Sequence, residues 1–302
     1  MEFPGRREYE RVSEDIKNSI DRSCSIAISK GTTQEPDFVS CLFRYFPEDL
    51  RNSLAAYCPG YWFNISSVFC HQKPLANFHS CNKKHPEIGD ILFVYFENDG
   101  GTKKCNALLL QAKKIKSYPY QISVTEEHQL ELYQGWPEFT YERAGSLNGK
   151  IRSVLPKSPT AGAQYLLMQE PCNSEDLLNC AGVKNKIVAP SSRLSDSILG
   201  LLNFSTGRSF SEDEKTDDWS GMIWDLLRIA QKSVYNRKRL GVKRASRLQK
   251  YVTSDEKKYS RQFTKDMKLD IHDDFCEDCD MEISSVPIML IYGVKKEEYF
   301  EE

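Results

Sequence analysis

The chain has 302 residues, of which 40% are hydrophobic, and these numbers predict a globular protein with a substantial core. Its 41 basic and 43 acidic residues leave a net charge of −2, so a polyanionic partner would have to bind a local basic surface. No run reaches the roughly 18 apolar residues of a membrane helix, and residues 1–10 lack the apolar core of a signal peptide. The 10 cysteines are too scattered for a disulfide-stapled domain, so we expect a cytoplasmic protein with reduced thiols and no membrane partner.

The apolar pattern predicts two helices before the first strands. Val12, Ile16 and Ile20 recur at helical spacing within residues 6–22, which indicates an amphipathic helix or N-terminal arm. A second helix is expected to have Thr33 as its N-cap and Pro36 in its first turn, and to end near residues 56–60. Its apolar residues repeat every four positions and predict a buried stripe of Phe38, Leu42, Phe46, Leu50 and Leu54.

Further elements are predicted along the remaining chain. Apolar runs indicate strands at 62–68, 164–168, 186–189 and 286–292, of which 164–168 and 186–189 are expected in the core. Helical spacing indicates helices at 125–133, 195–204 and 219–235. The acidic stretch 211–218 is interpreted as a boundary or link. We therefore divide the chain into an N-terminal helix or arm (1–30), a core domain (31–210) and a helical, basic C-terminal region with a final strand (211–302).

The most informative stretch is a predicted β-hairpin. Two apolar runs, 91–96 and 107–110, flank a turn sequence that contains Gly100-Gly101. If these glycines form a two-residue turn with φ above zero, cross-strand partners have numbers that sum to 201, and Asp90 lies opposite Gln111. Gln111 and Lys113 then share one face of their strand, while Ala112 lies on the other. We therefore expect Asp90, Gln111 and Lys113 to converge at one end of the hairpin.

The pattern Asp90…Gln111-x-Lys113 resembles the PD-(D/E)XK nuclease superfamily, in the subset where Gln replaces the acid of the second motif. The resemblance covers mainly residues 35–113, and the literal Pro-Asp dipeptide is absent because Pro86 is separated from Asp90. It implies an α/β (or α+β) fold in which a central mixed β-sheet is flanked by helices, with a restriction-endonuclease-like core. It also implies a further acidic residue from a preceding helix, for which Glu35 is the candidate and Glu14 the alternative.

These residue types suit phosphodiester hydrolysis with Mg²⁺ or Mn²⁺. A hard cation is held by few carboxylates, so that water and phosphate oxygens complete its coordination. Asp90 would be the anchoring ligand, with Glu35 beside it. The Gln111 side-chain carbonyl and the Ala112 backbone carbonyl would add neutral oxygens. Lys113 would orient the attacking water or stabilise the charge that builds on the phosphate.

Basic residues predict where nucleic acid would bind. Residues 232–250 contain eight Lys or Arg and no acid, with Tyr235 and Tyr251 available for stacking, although a solvated helix end is the alternative. Lysines beside the hairpin extend the same surface. The predicted contact residues are Lys114, Lys116, Arg237, Lys238, Arg239, Lys243, Arg244 and Arg247.

Two cysteine and histidine groups could in principle bind zinc, but neither has a common zinc spacing. The first comprises Cys70, His71, His79, Cys81 and His85. The second is the Cys276-x-x-Cys279 pair with His272 upstream. Zinc is therefore not expected. The chain also lacks a P-loop, a G-x-S-x-G elbow and a dinucleotide fingerprint, so an ATP motor is not expected within it.

The sequence thus predicts a metal-dependent nuclease that acts on DNA. By resemblance, it would be an effector of prokaryotic restriction or anti-phage defence, with a partner subunit that supplies recognition or ATPase activity, and it could act as a homodimer. The alternatives are a non-catalytic nucleic-acid-binding or scaffold subunit on the same fold, and a DNA repair or recombination nuclease. A further alternative is a hairpin whose polar end is merely solvated.

Overall fold

The computed structural model describes residues 1, 5–29, 34–70, 74–79, 85–169, 177–240, 248–252 and 285–296, with the backbone alone for 70, 231–240 and 248–252. The α-helices of this part of the chain are α1 (Arg6–Ser29), α2 (Glu35–Tyr57), α3 (Glu127–Gly135), α4 (Leu194–Leu202) and α5 (Asp218–Leu240). Two short 3₁₀ helices, η1 and η2, occupy Val124–Glu126 and Gly145–Leu147.

The strands of the described residues vary from two to fourteen residues in length. They are β1 (Tyr61–Cys70), β2 (Leu75–Asn77), β3 (Ile91–Asp99), β4 (Thr102–Ile115), β5 (Tyr120–Gln121), β6 (Phe139–Glu142), β7 (Ile151–Arg152), β8 (Ala163–Gln169), β9 (Leu178–Ala181), β10 (Ile187–Val188), β11 (Ser192–Arg193), β12 (Arg208–Phe210), β13 (Leu248–Val252) and β14 (Ile288–Lys295).

A central mixed sheet organises the fold. Its order is β11-β9-β8-β4-β3-β14-β1-β13, and β12 pairs with β4 beside this path. Helices α1, α2 and α4 contribute to the core on one face, and α3 and α5 contribute to the core on the other. The predicted mixed sheet flanked by helices is therefore confirmed. The near-continuous apolar sequences of β3 and β4 follow from this layering, because both faces of these strands are buried.

The predicted hairpin has the predicted register. Asp99 pairs with Thr102 and Ile91 with Leu110, so all partners along β3 and β4 sum to 201. Gly100 and Gly101 have φ values of 57° and 89°, the left-handed conformation that a two-residue turn of this kind requires. Side chains of β4 alternate between the two cores, with Leu109 on the α3/α5 face and Leu110 on the α1/α2/α4 face. The turn glycines and the period of two were sufficient to predict this register.

Several element boundaries differ from prediction. Helix α1 continues to Ser29, beyond the predicted residue 22, because its apolar stripe extends through buried Cys24 and Ala27. The N-cap of α2 is Gln34, not Thr33, and its side chain makes no capping hydrogen bond. The predicted core strand 186–189 is confirmed only in part: β10 is two residues long and pairs with β5 outside the central sheet, and Val188 is buried in the core whereas Ile187 is 61% exposed.

The predicted C-terminal region contributes directly to the central sheet. Strand β14 lies between β3 and β1, parallel to β3 and antiparallel to β1. Helix α5 packs its apolar face, including Trp219, Met222 and Ile223, against the α3/α5 side of the core. Within the described residues, no helix combines the length and the apolar character needed to cross a membrane.

Candidate active site

The candidate site forms where β4 extends beyond the first residue of its partner strand β3. Strand β3 begins at Ile91, opposite Leu110, whereas β4 continues to Ile115 and stays paired with β8 on its other side. Backbone groups of alternate residues point to the same neighbouring strand, and the Leu110 carbonyl accepts a hydrogen bond from Asp90 N at 2.8 Å. The backbone groups of Ala112 and Lys114 therefore face the edge that β3 leaves open.

Two carboxylates bind this open edge. Asp90 Oδ2 accepts a hydrogen bond from Ala112 N at 2.7 Å, and Glu35 Oε1 accepts one from Lys114 N at 2.7 Å. These amides are two residues apart on one strand, a separation of roughly 7 Å. Strand geometry directs the Ala112 carbonyl to the same edge. The structure thus brings Asp90, Glu35 and Ala112 together, although Asp90 and Glu35 come from different elements.

The chain before Asp90 approaches its neighbours closely. A Cβ on Gly89 would lie 2.6 Å from Leu109 Cδ1 and 3.1 Å from the Tyr133 hydroxyl, so only glycine fits without displacement. The Tyr133 hydroxyl donates to Ile88 O at 2.8 Å. Burial and the negative charge of Asp90 raise the pKa of Tyr133, which keeps this phenol a neutral donor. These contacts fix the backbone that presents Asp90.

Gln111 connects Asp90 to the α3/α5 face of the sheet. Its Nε2 donates to Asp90 Oδ2, and its Oε1 takes no part in this hydrogen bond. Gln111 is 3% exposed, and its Oε1 has no hydrogen-bond partner among the described residues. A buried acceptor without a donor costs about 1–3 kcal/mol, and such groups commonly mark a place where an ion or water binds.

Tyr165 provides a second unpaired polar atom nearby. The parallel pairing of β4 with β8 sets Tyr165 beside Gln111. Its buried hydroxyl also has no hydrogen-bond partner among the described residues. Burial, and secondarily the charge of Glu126, raises the pKa of Tyr165, so the hydroxyl is a neutral donor near neutral pH. Sequence reasoning missed this residue, because only the strand pairing brings it to the site.

Lys113 is buried and paired with an acid that was not predicted. Its residue exposure is 8%, and its Nζ lies 3.0 Å from Glu126 Oε1. Burial by itself would raise the pKa of Glu126, but hydrogen bonds from Ser123, Tyr120 and Lys113 lower it to about 2. Ser123 and Glu126 form a capping box at the start of η1. This motif is visible in the sequence, yet it indicates a helix start and gives no sign of a contact with Lys113.

The other predicted residues fall in different places. Glu14, the alternative to Glu35, pairs with Arg193 at 3.2 Å and with Lys17 at 3.9 Å. Lys114 follows Lys113 on β4, and Lys116 is exposed just beyond the strand. The basic residues Arg237, Lys238 and Arg239 belong to the described backbone of α5, whereas Lys243, Arg244 and Arg247 lie outside the described residues.

The donor set fits a hard divalent cation. Carboxylate oxygens from Asp90 and Glu35, the unpaired Gln111 Oε1 and the Ala112 carbonyl are the oxygen ligands that Mg²⁺ and Mn²⁺ accept. Nowhere in the described residues do three or more His, Cys, Asp or Glu side chains form a metal-binding group, and this site relies on two carboxylates with neutral oxygens. The buried Gln111 Oε1 has no hydrogen-bond partner among the described residues, and this is the observation that favours an ion here.

The two cysteine and histidine groups considered for zinc lie only partly within the described residues. Of the first group, His79 is exposed and His85 Nδ1 contacts Glu142 Oε2 at 2.6 Å. His71 and Cys81 lie outside the described residues, as do His272, Cys276 and Cys279 of the second group.

Comparisons with known proteins give no relative. No protein-family model, no curated protein and no solved structure matches the chain.

Proposed function

We propose that this protein is a Mg²⁺- or Mn²⁺-dependent nuclease that hydrolyses phosphodiester bonds of DNA. The observation that carries the proposal is the placement of Asp90 and Glu35 on alternate amides of one strand edge, at 2.7 Å each, next to Lys113. A PD-(D/E)XK-type, restriction-endonuclease-like core and a role in restriction or anti-phage defence, with a partner subunit or as a homodimer, belong to the same proposal through the sequence resemblance.

The cation would be held by Asp90, Glu35, Gln111 Oε1 and the Ala112 carbonyl. When bound, it supplies a Lewis acid that withdraws charge from the scissile phosphate. The residues of the chain determine where it binds: Ala112 N and Gln111 Nε2 hold Asp90 Oδ2, and Lys114 N holds Glu35 Oε1.

Lys113 is the residue proposed to act on the phosphate. Its ammonium is a compact charge with three donors, and the alternation of side chains along β4 places Lys113 on the same face as Gln111. In a partly dehydrated site, such a charge stabilises an oxyanion more strongly than in water. Lys113 would therefore stabilise the negative charge that accumulates on the phosphate oxygens during hydrolysis.

Burial argues against a polar hairpin end that is merely solvated. Asp90 is 4% exposed, Gln111 3% and Lys113 8%. Removing charged groups from water costs several kcal/mol per ion unless partners compensate. Side chains that only keep the protein soluble gain nothing from being buried. A site that binds a cation and a phosphate, in contrast, depends on buried charged and polar groups.

The test compares cleavage by the wild type with cleavage by Lys113→Ala and Lys113→Met. Supercoiled plasmid and single-stranded RNA are incubated with Mg²⁺, Mn²⁺ or EDTA, and products are resolved on gels. We expect the wild type to cleave DNA only with metal, and both variants to lose about 100- to 1,000-fold in rate, by analogy with removal of one oxyanion donor. The methionine variant keeps most of the apolar stem and so preserves packing.

The matched control is Lys186→Ala. Lys186 also pairs with a carboxylate, Glu127, at 2.6 Å, but its side chain is 60% exposed. The Lys186→Ala variant should cleave DNA at the same rate as the wild type. Equal cleavage by Lys113→Ala and the wild type would remove Lys113 from the mechanism. Metal-independent binding of DNA without cleavage would instead favour the non-catalytic subunit, and cleavage of RNA alone would change the substrate.

A further inference from the structure

Lys113 forms an ion pair with Glu126, and the chemistry proposed above does not use this ion pair. Glu126 Oε1 lies 3.0 Å from Lys113 Nζ. Its other oxygen, Oε2, accepts hydrogen bonds from the Tyr120 hydroxyl at 2.7 Å, from Ser123 Oγ at 2.7 Å and from Ser123 N at 3.2 Å. Four donors from three residues therefore fix one carboxylate.

These contacts restrict the lysine at both of its ends. The Cα of Lys113 belongs to β4, where its backbone pairs with Leu167 of β8. The ammonium is held by a carboxylate that has little freedom to rotate, because Oε2 is anchored by Tyr120 and Ser123. A lysine side chain otherwise samples many rotamers. The pairing thus selects one placement of the charge before any ligand arrives.

The same pairing could instead neutralise Lys113 and keep it from a phosphate. The anchoring of Glu126 decides between these readings. If the ammonium turns toward a phosphate, Glu126 Oε2 keeps its donors from Tyr120 and Ser123, so the carboxylate is not left without partners. Lys113 can therefore share its three protons between Glu126 and a substrate oxygen without a large penalty.

We propose that Glu126 is a positioning residue that holds the Lys113 ammonium in place beside the Asp90 and Glu35 edge, so that a substrate phosphate meets a preplaced charge. This inference rests on the proposed nuclease function. Glu126 does not need to contact the substrate or the cation. Tyr120 and Ser123 support the placement through Glu126.

Steady-state cleavage tests the proposal. Glu126→Gln keeps the shape but removes the charge, and we expect kcat to fall about 10- to 100-fold with KM changed by less than about threefold, because misplacing a catalytic group costs on this scale. Glu126→Asp restores the charge and should recover part of kcat. Tyr120→Phe removes one anchor of Glu126 and should give a smaller loss. If Glu126→Gln fails to fold, Tyr120→Phe still tests the proposal.

Glu127→Gln is the matched control. Glu127 is the next residue and pairs with Lys186, at 2.6 Å, so its substitution should leave kcat and KM unchanged. A Glu126→Gln enzyme as fast as the wild type, or faster, would show that Glu126 masks Lys113 or has no role, and it would overturn the proposal. A change in KM alone, or a Glu126→Asp enzyme as slow as Glu126→Gln, would overturn it too.

A second measurement does not depend on nuclease activity. Reductive methylation followed by mass spectrometry reports how accessible and mobile each lysine is. Lys113 should be protected in the wild type and in Glu127→Gln, and should react several-fold faster in Glu126→Gln, with exposed Lys116 as the internal reference. Equal reactivity of Lys113 in all three proteins would overturn the placement. If no protein cleaves DNA or RNA, the nuclease proposal fails, and the labelling alone decides whether Glu126 holds Lys113.

Discussion

At the scale of single residues, the nitrogen and the oxygen of the Gln111 side-chain amide differ in their contacts. Its Nε2 donates to buried Asp90, whereas its Oε1 is buried without a partner among the described residues. An acid at this position would lose the donor to Asp90 and place two carboxylates side by side. The glutamine therefore makes the site less dependent on a cation for its stability than an acid would.

The variant Gln111→Glu should make folding depend on metal. In EDTA we expect the melting temperature to fall by several degrees, because two adjacent buried carboxylates repel and one hydrogen bond is lost. Saturating Mg²⁺ should raise the melting temperature more in the variant than in the wild type, since a ligand stabilises the state that binds it. Calorimetry with and without Mg²⁺ measures both. The same Mg²⁺-induced shift in both proteins would contradict a cation site at Gln111.

At the scale of elements, an ion-pair cluster joins helix α5 to strand β7. Asp225 of α5 is 1% exposed and accepts from Arg152 Nε at 2.9 Å, from another Arg152 nitrogen at 2.7 Å and from Lys150 at 2.7 Å. Arg152 also reaches Asp218 at 2.9 Å. Because Asp225 and Arg152 are largely removed from water, each needs the other as a partner. This cluster fixes the helix that covers the α3/α5 face of the sheet.

Replacing Asp225 with Asn should destabilise the protein by about 3–5 kcal/mol, the usual cost of leaving one partner of a buried ion pair unmatched. Chemical denaturation measures this change. The control is Glu10→Gln, which removes the exposed pair with Arg6, whose side chains are 91% and 59% exposed. That variant should change stability by less than about 0.5 kcal/mol. Equal effects of the two substitutions would show that the Asp225 cluster does not hold α5.

At the scale of the whole molecule, the central position of β14 makes the sheet depend on residues far along the chain. Strand β14 is hydrogen-bonded to β3 on one side and β1 on the other, and Met289 and Ile291 are fully buried. Without it, two interior strands would become edges with unpaired backbone groups.

A chain that ends at residue 284 is therefore expected to lose cooperative thermal unfolding and to aggregate. A chain that ends at residue 296 retains β14 and is expected to unfold cooperatively. Circular dichroism during heating and size-exclusion chromatography compare the two. A cooperative transition at the same temperature in both chains would contradict a central role for β14.

Local sequence signals were sufficient for the hairpin. The glycines at the turn and the alternation of apolar residues predicted both its register and the convergence of Asp90 with Gln111, which the structure confirms. The stripe of α2 was predicted for the same reason, because a period of 3.6 residues records which face is buried. Other expectations were less accurate, since Gln34 occupies the N-cap position of α2 where Thr33 was expected, and β10 pairs with β5 outside the central sheet.

The sequence by itself determined the hairpin, its register and three polar residues at one of its ends, because turn geometry and side-chain alternation act over a few residues. Only the tertiary structure decided that Glu35 reaches Lys114 N, that Tyr165 lies beside Gln111 and that Glu126 holds Lys113. It also decided that β14 completes the sheet between β1 and β3. These contacts join residues that are distant in sequence. They are set by the packing of whole elements, which leaves no periodic pattern in the local sequence.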